Sequence, residues 1–511
     1  MKKGLLALGA IGLLAVSGYA QENYATWTGS RSIVINTTAT GANVANAVTN
    51  YPVLVRLTSS QSDVFTTGGS NGASIRFTAA DGTTRLQHER ERWDSAGKAA
   101  EFWVLVPSVA GNANTTIKMF YGKVGAADSS KSTAVFDTTT TGNAFRAVYH
   151  MNAGSGVATE KDATALANNL AASDSTVAAI PTDTVGAIGR ARTFKGDTTT
   201  VDGRQYFVAP GTRAKPELNW GPTNPHTVSA WAYARTTIGI ASSGNSIFNK
   251  GDNQYALQIY GTATNKKWES AVYTSTWRQI PSSSLNVATN QTGAWYFVTG
   301  TWSGGATSTN ATAQMYVNGV LDTTASLGIG TGNAYYSWNL FVGANPNGGG
   351  LNSVDSAVSG GTTRSMTNAP TRPGRARYWD GHLDEIRLAR GVRSADWIKL
   401  DFETQKPTST SVTVGNNITP VVATRDWNPG FAIRNSGANF VFSVPGAAHI
   451  SVLDIKGREV WSRSTAQAAD VSWNGLSVDG SRLSGIHVAR VTARVNGVET
   501  TVAQRSFSMV K

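Results

Sequence analysis

Carboxylate chemistry in this 511-residue chain could begin at two places, Glu89-Arg90-Glu91 and Asp384-Glu385. Hydrolysing a glycosidic bond with retention needs two carboxyl groups about 5–5.5 Å apart, one as nucleophile and one as acid/base. On a regular strand both must face the same way, so their spacing is even, and a bulge can absorb one extra residue. The strings Glu-x-Asp-x-Glu and Glu-x-Asp-x-x-Glu meet that demand, and neither occurs. Glu89 and Glu91 are two apart but alternate with Arg90 and Arg92. That pattern reads as a solvated strand face with cross-strand salt bridges. Asp384 and Glu385 are adjacent, so on a strand they face opposite ways and cannot work as a pair. The Ser242-Ser-Gly-Asn-Ser246 stretch lacks the flanking pattern of a serine nucleophile elbow. There is no P-loop, dinucleotide fingerprint or His-Glu-x-x-His helix. No catalytic residue is assigned.

The elements that would position such groups read as strands. Only 15% of residues are charged and 53 are Gly, a composition that favours β-rich architecture over helical bundles. The length predicts two to four domains, and 40% hydrophobic residues exclude wholesale disorder. Zero Cys excludes disulfides, thiolate nucleophiles, cysteine-ligated zinc and iron–sulfur clusters. The net charge of +12, from 44 basic and 32 acidic residues, is dispersed and favours solubility over recognition.

Residues 21–140 carry short β-branched or aromatic runs at Ile33–Ile35, Tyr51–Leu57, Ala73–Phe77, Phe102–Val106 and Thr116–Tyr121. Val53, Val55 and Leu57 share one face while Arg56 points the other way. Turn signals between them give a β-sandwich. Trp27, Arg31-Ser-Ile-Val-Ile, Tyr51-Pro-Val-Leu-Val-Arg-Leu, Ile75-Arg-Phe-Thr, Asp81-Gly82, Glu89, Glu91, Trp93 and Tyr121-Gly122 resemble an uncharacterised prokaryotic surface-protein domain. That resemblance implies an extracellular multidomain protein whose next module is laminin-G-like.

Residues 141–405 supply strands at Thr227–Tyr233, Tyr255–Tyr260, Trp295–Trp302, Ala313–Val317 and Leu340–Val342, with Asn318-Gly319 as a type I′ hairpin turn. A helix begins after the N-cap Ser394, with Asp396 in its first turn. Tyr149-His-Met-Asn152, Asp162-Ala-Thr164, Val201-Asp-Gly203, Tyr206-Phe-Val208, Val228-Ser-Ala-Trp231, Met315-Tyr-Val-Asn-Gly319 and Gly381-His-Leu-Asp-Glu-Ile-Arg387 resemble the concanavalin A-like jelly roll of laminin-G and pentraxin modules. Gly343–Arg377 reads as a long insertion.

A Pro/Thr/Ser-rich linker, 406–425, leads to 426–511. There Ile450–Ile455, Arg458–Trp461, Val471–Trp473 and His487–Val491 alternate as strands. Asn428-Pro429, Asp454-Ile-Lys-Gly-Arg-Glu-Val, Trp473-Asn-Gly475, Asp479-Gly480 and Leu483-Ser-Gly-Ile486 resemble an immunoglobulin-like C-terminal sorting domain of type IX export, with His487 where that family has Tyr. Residues 1–20 follow the signal-peptide pattern, with Lys2-Lys3, an apolar run and Ser17-Gly-Tyr-Ala20. That run is too short to span a bilayer, and no later segment is long and apolar enough.

The jelly-roll resemblance implies that Asp162 and Asp384 hold a structural calcium ion, the one cofactor expected. Glycan binding needs aromatic platforms and polar readers of hydroxyls. Trp231 and Trp302 sit inside strand patterns and belong to the core. Trp268, Tyr273 and Trp277, in a polar stretch, and Tyr335, Tyr336, Trp338, Tyr378 and Trp379, flanking the insertion, are the expected ligand face. Arg364, Arg372, Arg375 and Arg377 suggest an anionic-glycan or lipopolysaccharide patch.

The sequence thus predicts an all-β chain: a concanavalin A-like jelly-roll sandwich flanked by an N-terminal β-sandwich and a C-terminal immunoglobulin-like domain. It is expected to be secreted or on the outer cell surface, in adhesion. Its expected partners are a polysaccharide or cell-surface glycan and, through the C-terminal domain, the secretion machinery, but not nucleic acid. The rival readings are a divergent glycoside hydrolase or polysaccharide lyase on the same fold, and a structural spacer.

Overall fold

The computed structural model describes residues 22–139, 142–172, 179–196, 205–209, 216–235, 245–251, 254–262, 265–283, 292–330, 339–345, 377–418, 432–436, 439–444, 446–495 and 498–509. Strands dominate it, in antiparallel pairs, as the alternating apolar patterns require. Residues 31–80 and 84–416 form one compact unit, and the C-terminal segment from Asn417 lies in a second. Among the described residues no helix is long and apolar enough to cross a membrane. The signal-peptide residues 1–20 lie outside the described residues.

The N-terminal sandwich pairs a five-stranded sheet with a three-stranded one. The larger runs in the order Val412–Ile418, Gly29–Asn36, Asn114–Tyr121, Arg76–Ala79, Arg85–Leu86. The smaller runs Val48–Leu57, Ala99–Val109, His88–Asp94. Ile33, Ile35, Val53, Val55, Phe77, Phe102, Val104 and Met119 fill the core between them. Arg56 does face away from that core, but not into water. It donates to the carbonyls of Gln405, Thr404 and Ala187, so both faces of its strand are covered. The linker expected at 406–425 is corrected in part. Val412–Ile418 is an edge strand, and Ser411 and Gly415 accept hydrogen bonds from Asn36 N–H and the Arg31 guanidinium.

The jelly roll stacks two eight-stranded sheets. One runs Trp277–Pro281, Lys266–Tyr273, Tyr255–Gly261, Asn245–Lys250, Leu340–Val342, Phe207–Ala209, Leu170–Ala172, Thr159–Glu160. The other runs Thr182–Val185, Arg190–Lys195, Asp380–Arg390, His226–Ala234, Trp295–Trp302, Asn310–Val317, Val320–Gly328, with Phe145–Tyr149 pairing alongside Asp380–Arg390. Their facing side chains, among them Phe194, Phe207, Ile247, Leu257, Trp268, Val298, Met315, Leu383 and Leu388, make one apolar core. Asn318 and Gly319 both have positive φ, +51° and +74°, as a type I′ turn requires. The helix Ala395–Gln405 starts where expected, with Ser394 Oγ accepting the Trp397 N–H at 3.1 Å. It covers the outer side of the second sheet, and Trp231 donates to Gln405 at 2.8 Å.

The C-terminal unit is a small sandwich of two sheets. Ala432–Ser436, Asn439–Val444 and Ala469–Trp473 form one; Glu459–Thr465, Ala448–Leu453, Gly485–Val495 and Val498–Met509 form the other. Phe442, Ile450, Val452, Val471, Trp473 and Val491 close its core.

Candidate ligand-binding face

The first jelly-roll sheet has an outer face that follows from strand periodicity. Trp268 and Val272 point into the core, as do Tyr255, Leu257 and Ile259 on the next strand. The alternate residues, Glu269, Ala271, Tyr273, Ala256, Gln258 and Tyr260, therefore share the opposite side. Register aligns them into rows. Ser246, Gln258, Glu269 and Pro281 lie across four strands, Asn249, Ala256, Ala271 and Gln279 make the next row, and Tyr273 opposes Trp277.

The polar members of these rows are buried and incompletely paired. Glu269 Oε1 accepts from Gln258 Nε2 at 2.8 Å and Gln279 Nε2 at 3.3 Å. Burial pushes its carboxyl up to about 7, against the pull of those two donors. Ser246 Oγ, both amide atoms of Asn249, and Gln258 Oε1 are buried without a hydrogen-bond partner. Such atoms cost about 1–3 kcal/mol each and call for an explanation. Tyr273 and Trp277 are half-buried, with rings 5.5 Å apart and nearly perpendicular. The face thus sets a half-buried aromatic pair beside buried amide and hydroxyl atoms that lack partners.

Of the expected ligand face, the structure brings together Tyr273 and Trp277. Trp268, Tyr378 and Trp379 are corrections, because all three are fully buried. Trp268 and Trp379 stack at 6.3 Å inside the core, and Tyr378 packs with Tyr206, Val208, Phe341 and Ala344. Tyr335, Tyr336, Trp338, Arg364, Arg372 and Arg375 lie outside the described residues. Arg377 stacks 5.0 Å over the Tyr260 ring. Trp231 and Trp302 are core, as read from their strands. The string Gly68-Gly-Ser70-Asn-Gly72 carries the letters of a nucleophile elbow. It follows the helix Ser62–Thr67 instead of joining a strand to a helix, and Ser70 is an exposed turn residue.

The two acidic pairs meet where the N-terminal sandwich packs on the jelly roll. Both sit at bulges. Register slips between Arg90 and Arg92 at Glu91, and opposite Ser229–Trp231 at Glu385, whose φ is +46°. The bulges overturn the alternation argument. The side chains of Glu91, Asp384 and Glu385 are all buried and all interact with His150. His150 donates to Glu385 Oε1 and, at 3.1 Å, to Glu89 Oε2, with Glu91 Oε2 3.7 Å away. Arg387 donates twice to Glu385 Oε2, at 3.0 and 2.8 Å, and to Asp401 at 3.2 Å. Trp103 stacks against His150 and lies 4.4 Å beneath the Arg387 guanidinium. The solvated face expected for Glu89–Arg92 is therefore a buried junction. Only its cross-strand pair stands, with Arg92 gripping Glu101 at 2.5 and 2.7 Å.

Burial would lower the His150 pKa, but the Glu385, Glu89 and Glu91 carboxylates outweigh it and hold the ring charged well above its ordinary range. Burial pushes Glu91 up to about 8, opposed by His150 and reinforced by Glu385 and Glu101. Glu385 stays below its ordinary value because His150 and Arg387 override its burial.

Glu91, His150 and Glu385 offer ligand atoms within 4.8 Å of one another, a spacing a metal ion could use. The donors are already spent, however, since both imidazole nitrogens and both Glu385 oxygens serve ion pairs. A cation there would also face Arg387. Of the two residues expected to hold calcium, Asp162 has its lone pairs taken up within the chain. Asp162 takes four donors, from Val148 N, Thr164 N, Asn168 N and Thr164 Oγ1 at 2.9–3.1 Å, a saturated structural carboxylate. Asp384 Oδ2 accepts from Ile188 N at 2.8 Å, and its Oδ1 is buried without a hydrogen-bond partner.

Residues 71–143 match the family described as a domain of unknown function, DUF2341, and residues 211–361 match the concanavalin A-like lectin/glucanases superfamily. No curated protein matches the chain. Among solved structures, it is similar to the binding domain of Paraclostridial Mosquitocidal Protein 1, at 11% identity and TM-score 0.33, covering 70% of this chain and 73% of that one. It is also similar to the botulinum neurotoxin serotype C1 binding domain, at 9% and 0.33, covering 70% and 73%. A SAP-like pentraxin from Limulus polyphemus scores 13% and 0.25, covering 38% and 83%. At such identities and scores these likenesses carry no argument about ligand or partner. The chain carries a DUF2341 domain followed by a concanavalin A-like lectin/glucanase domain.

Proposed function

We propose that the jelly roll binds a polysaccharide or cell-surface glycan without turnover, on the outer face built by Ser246, Asn249, Gln258, Glu269, Tyr273, Trp277 and Gln279. The observation that carries this reading is the row of buried polar atoms with open valences beside a half-exposed aromatic pair. Sugar hydroxyls both donate and accept, as amides and hydroxyls demand, and sugar C–H faces stack on rings. Among the described strand residues of this face, Glu269 is the carboxylate. Retaining hydrolysis asks for two at about 5–5.5 Å, so binding is favoured over that chemistry.

A polysaccharide co-sedimentation panel on the full chain, followed by a glycan array, tests the reading. Trp277→Ala and Gln258→Leu are expected to weaken retention severalfold while leaving the fold intact. Release of reducing sugar or unsaturated product by the purified protein would transfer the face to an enzyme. Equal retention of both variants would remove the face from the account. The same proposal places the protein outside the cell, and deletion of 426–511 is expected to stop its surface display.

A further inference from the structure

A lysine ends the strand Asn245–Lys250 on the core side of the sheet, where register pairs it with the core residue Leu340. Lys250 is 1% exposed, and its Nζ donates to Asn219 Oδ1 at 2.7 Å. Asn219 is itself buried, just after the turn Pro216–Leu218. The neighbours of Asn219 hold that turn rigidly. Tyr255 donates its hydroxyl to Leu218 O at 2.8 Å, and Trp220 donates to Glu217 O at 2.8 Å while stacking on Tyr255. Amine and carboxamide are thus held together under burial.

We propose that Lys250 and Asn219 condense into an intramolecular isopeptide bond. With a C=O bond of about 1.23 Å and an angle near 120° at oxygen, Nζ lies about 3.5 Å from the carboxamide carbon. That is within the near-attack range of about 3–3.5 Å. Attack needs the uncharged amine, and burial lowers the lysine to about 7, so a large share is uncharged at neutral pH. In the step, Nζ bonds to Cγ of Asn219, the Cγ–Nδ2 bond breaks, and one Nζ proton passes to the departing nitrogen. One ammonia leaves, no electron changes hands, and no co-reactant is required. The product is a covalent staple between turn and sheet in a chain that has no cysteine to make one.

Tandem mass spectrometry of a tryptic digest of the folded, full-length protein tests this. The expected result is a branched peptide joining the segments that carry Asn219 and Lys250, lighter than their sum by one ammonia, with cleavage after Lys250 lost. The branched peptide decides, since total mass would not distinguish this ammonia from one lost at an N-terminal glutamine or an Asn-Gly. In Lys250→Arg the branch should vanish and cleavage after residue 250 should return. Linear peptides from the folded wild-type protein, one ending at Lys250 and one holding intact Asn219, would overturn the proposal.

Discussion

The junction around His150 and the outer face around Gln258 both gather polar and ionisable side chains under burial, the first mainly as ion pairs and the second mainly as neutral amides and hydroxyls. At the junction most ionic groups are paired within the chain, with Glu91 Oε1 and Asp384 Oδ1 left without a hydrogen-bond partner. Arg387 satisfies Glu385 and Asp401, His150 satisfies Glu385 and Glu89, and Trp103 donates to Glu91 at 2.7 Å. On the outer face Asn249 satisfies nothing, and Gln258 and Ser246 leave oxygens open. A network of mutual ion pairs specifies how two sandwiches dock, whereas the unpartnered neutral amides and hydroxyl of the outer face are what the proposed glycan would pair with. Equal burial therefore does not mean equal role.

The comparison breaks most easily at Arg387. Arg387→Met leaves Asp401 without its ion-pair partner and Glu385 with His150 alone, and removal of one buried partner costs about 3–5 kcal/mol. Urea denaturation is expected to show that loss, and a change under about 1 kcal/mol would mean the junction is not held by its charges.

Titration sharpens the contrast next. Folded Glu91 keeps its proton up to about 8, whereas its ordinary value is 4.5. Its contribution is therefore complete below about 4.5 and lost as pH rises through about 8, at no more than about 1.4 kcal/mol per pH unit. His150 and Asp384, also raised, have the same sign, and Glu269 follows through about 7. Glu385, lowered, runs the other way, with a contribution lost as acid protonates it. The melting temperature should fall between about pH 4.5 and 8, and Glu91→Gln should flatten that fall. An unaltered slope in the variant would exclude Glu91 as its source.

On the outer face, Asn249→Leu is expected to raise stability by about 1–3 kcal/mol, because an unsatisfied amide disappears, while glycan retention drops. A loss of stability instead would show that Asn249 has a structural partner in solution. Smallest of all, Trp277→Ala should change stability by no more than about 0.5 kcal/mol, measured by thermal unfolding. A larger loss would place Trp277 with the core tryptophans.

Strand positions were legible because period-2 alternation is local: Trp295–Trp302 and Leu340–Val342 appear with the limits read from sequence. The hairpin at Asn318-Gly319 and the Ser394 cap were legible because each rests on the preference of one or two residues. Of the proposed face, Tyr273 and Trp277 are the residues that the sequence singles out. Gln258 and Glu269 are visible as polar steps in apolar strands, but their alignment with Ser246 depends on register, which no single strand encodes. Trp268 and Trp379 were misjudged because polar flanking residues mask which face a ring takes. The junction was hidden for a related reason, since a bulge at Glu91 and another at Glu385 reverse the orientation that alternation assigns.

The edge strand Val412–Ile418 bears on the order of events during synthesis. The bond from Arg31 to Gly415 spans 384 residues, and the entire jelly roll lies between its ends. A chain emerging from its N-terminus must hold the first five-stranded sheet one strand short, with the Gly29–Asn36 edge bare, until the jelly roll has been made. Pairing so distant in sequence closes late and slowly. The last strand to arrive thus clasps the first sandwich around a finished neighbour, and a nascent chain stalled before residue 412 would offer that bare edge to any strand nearby.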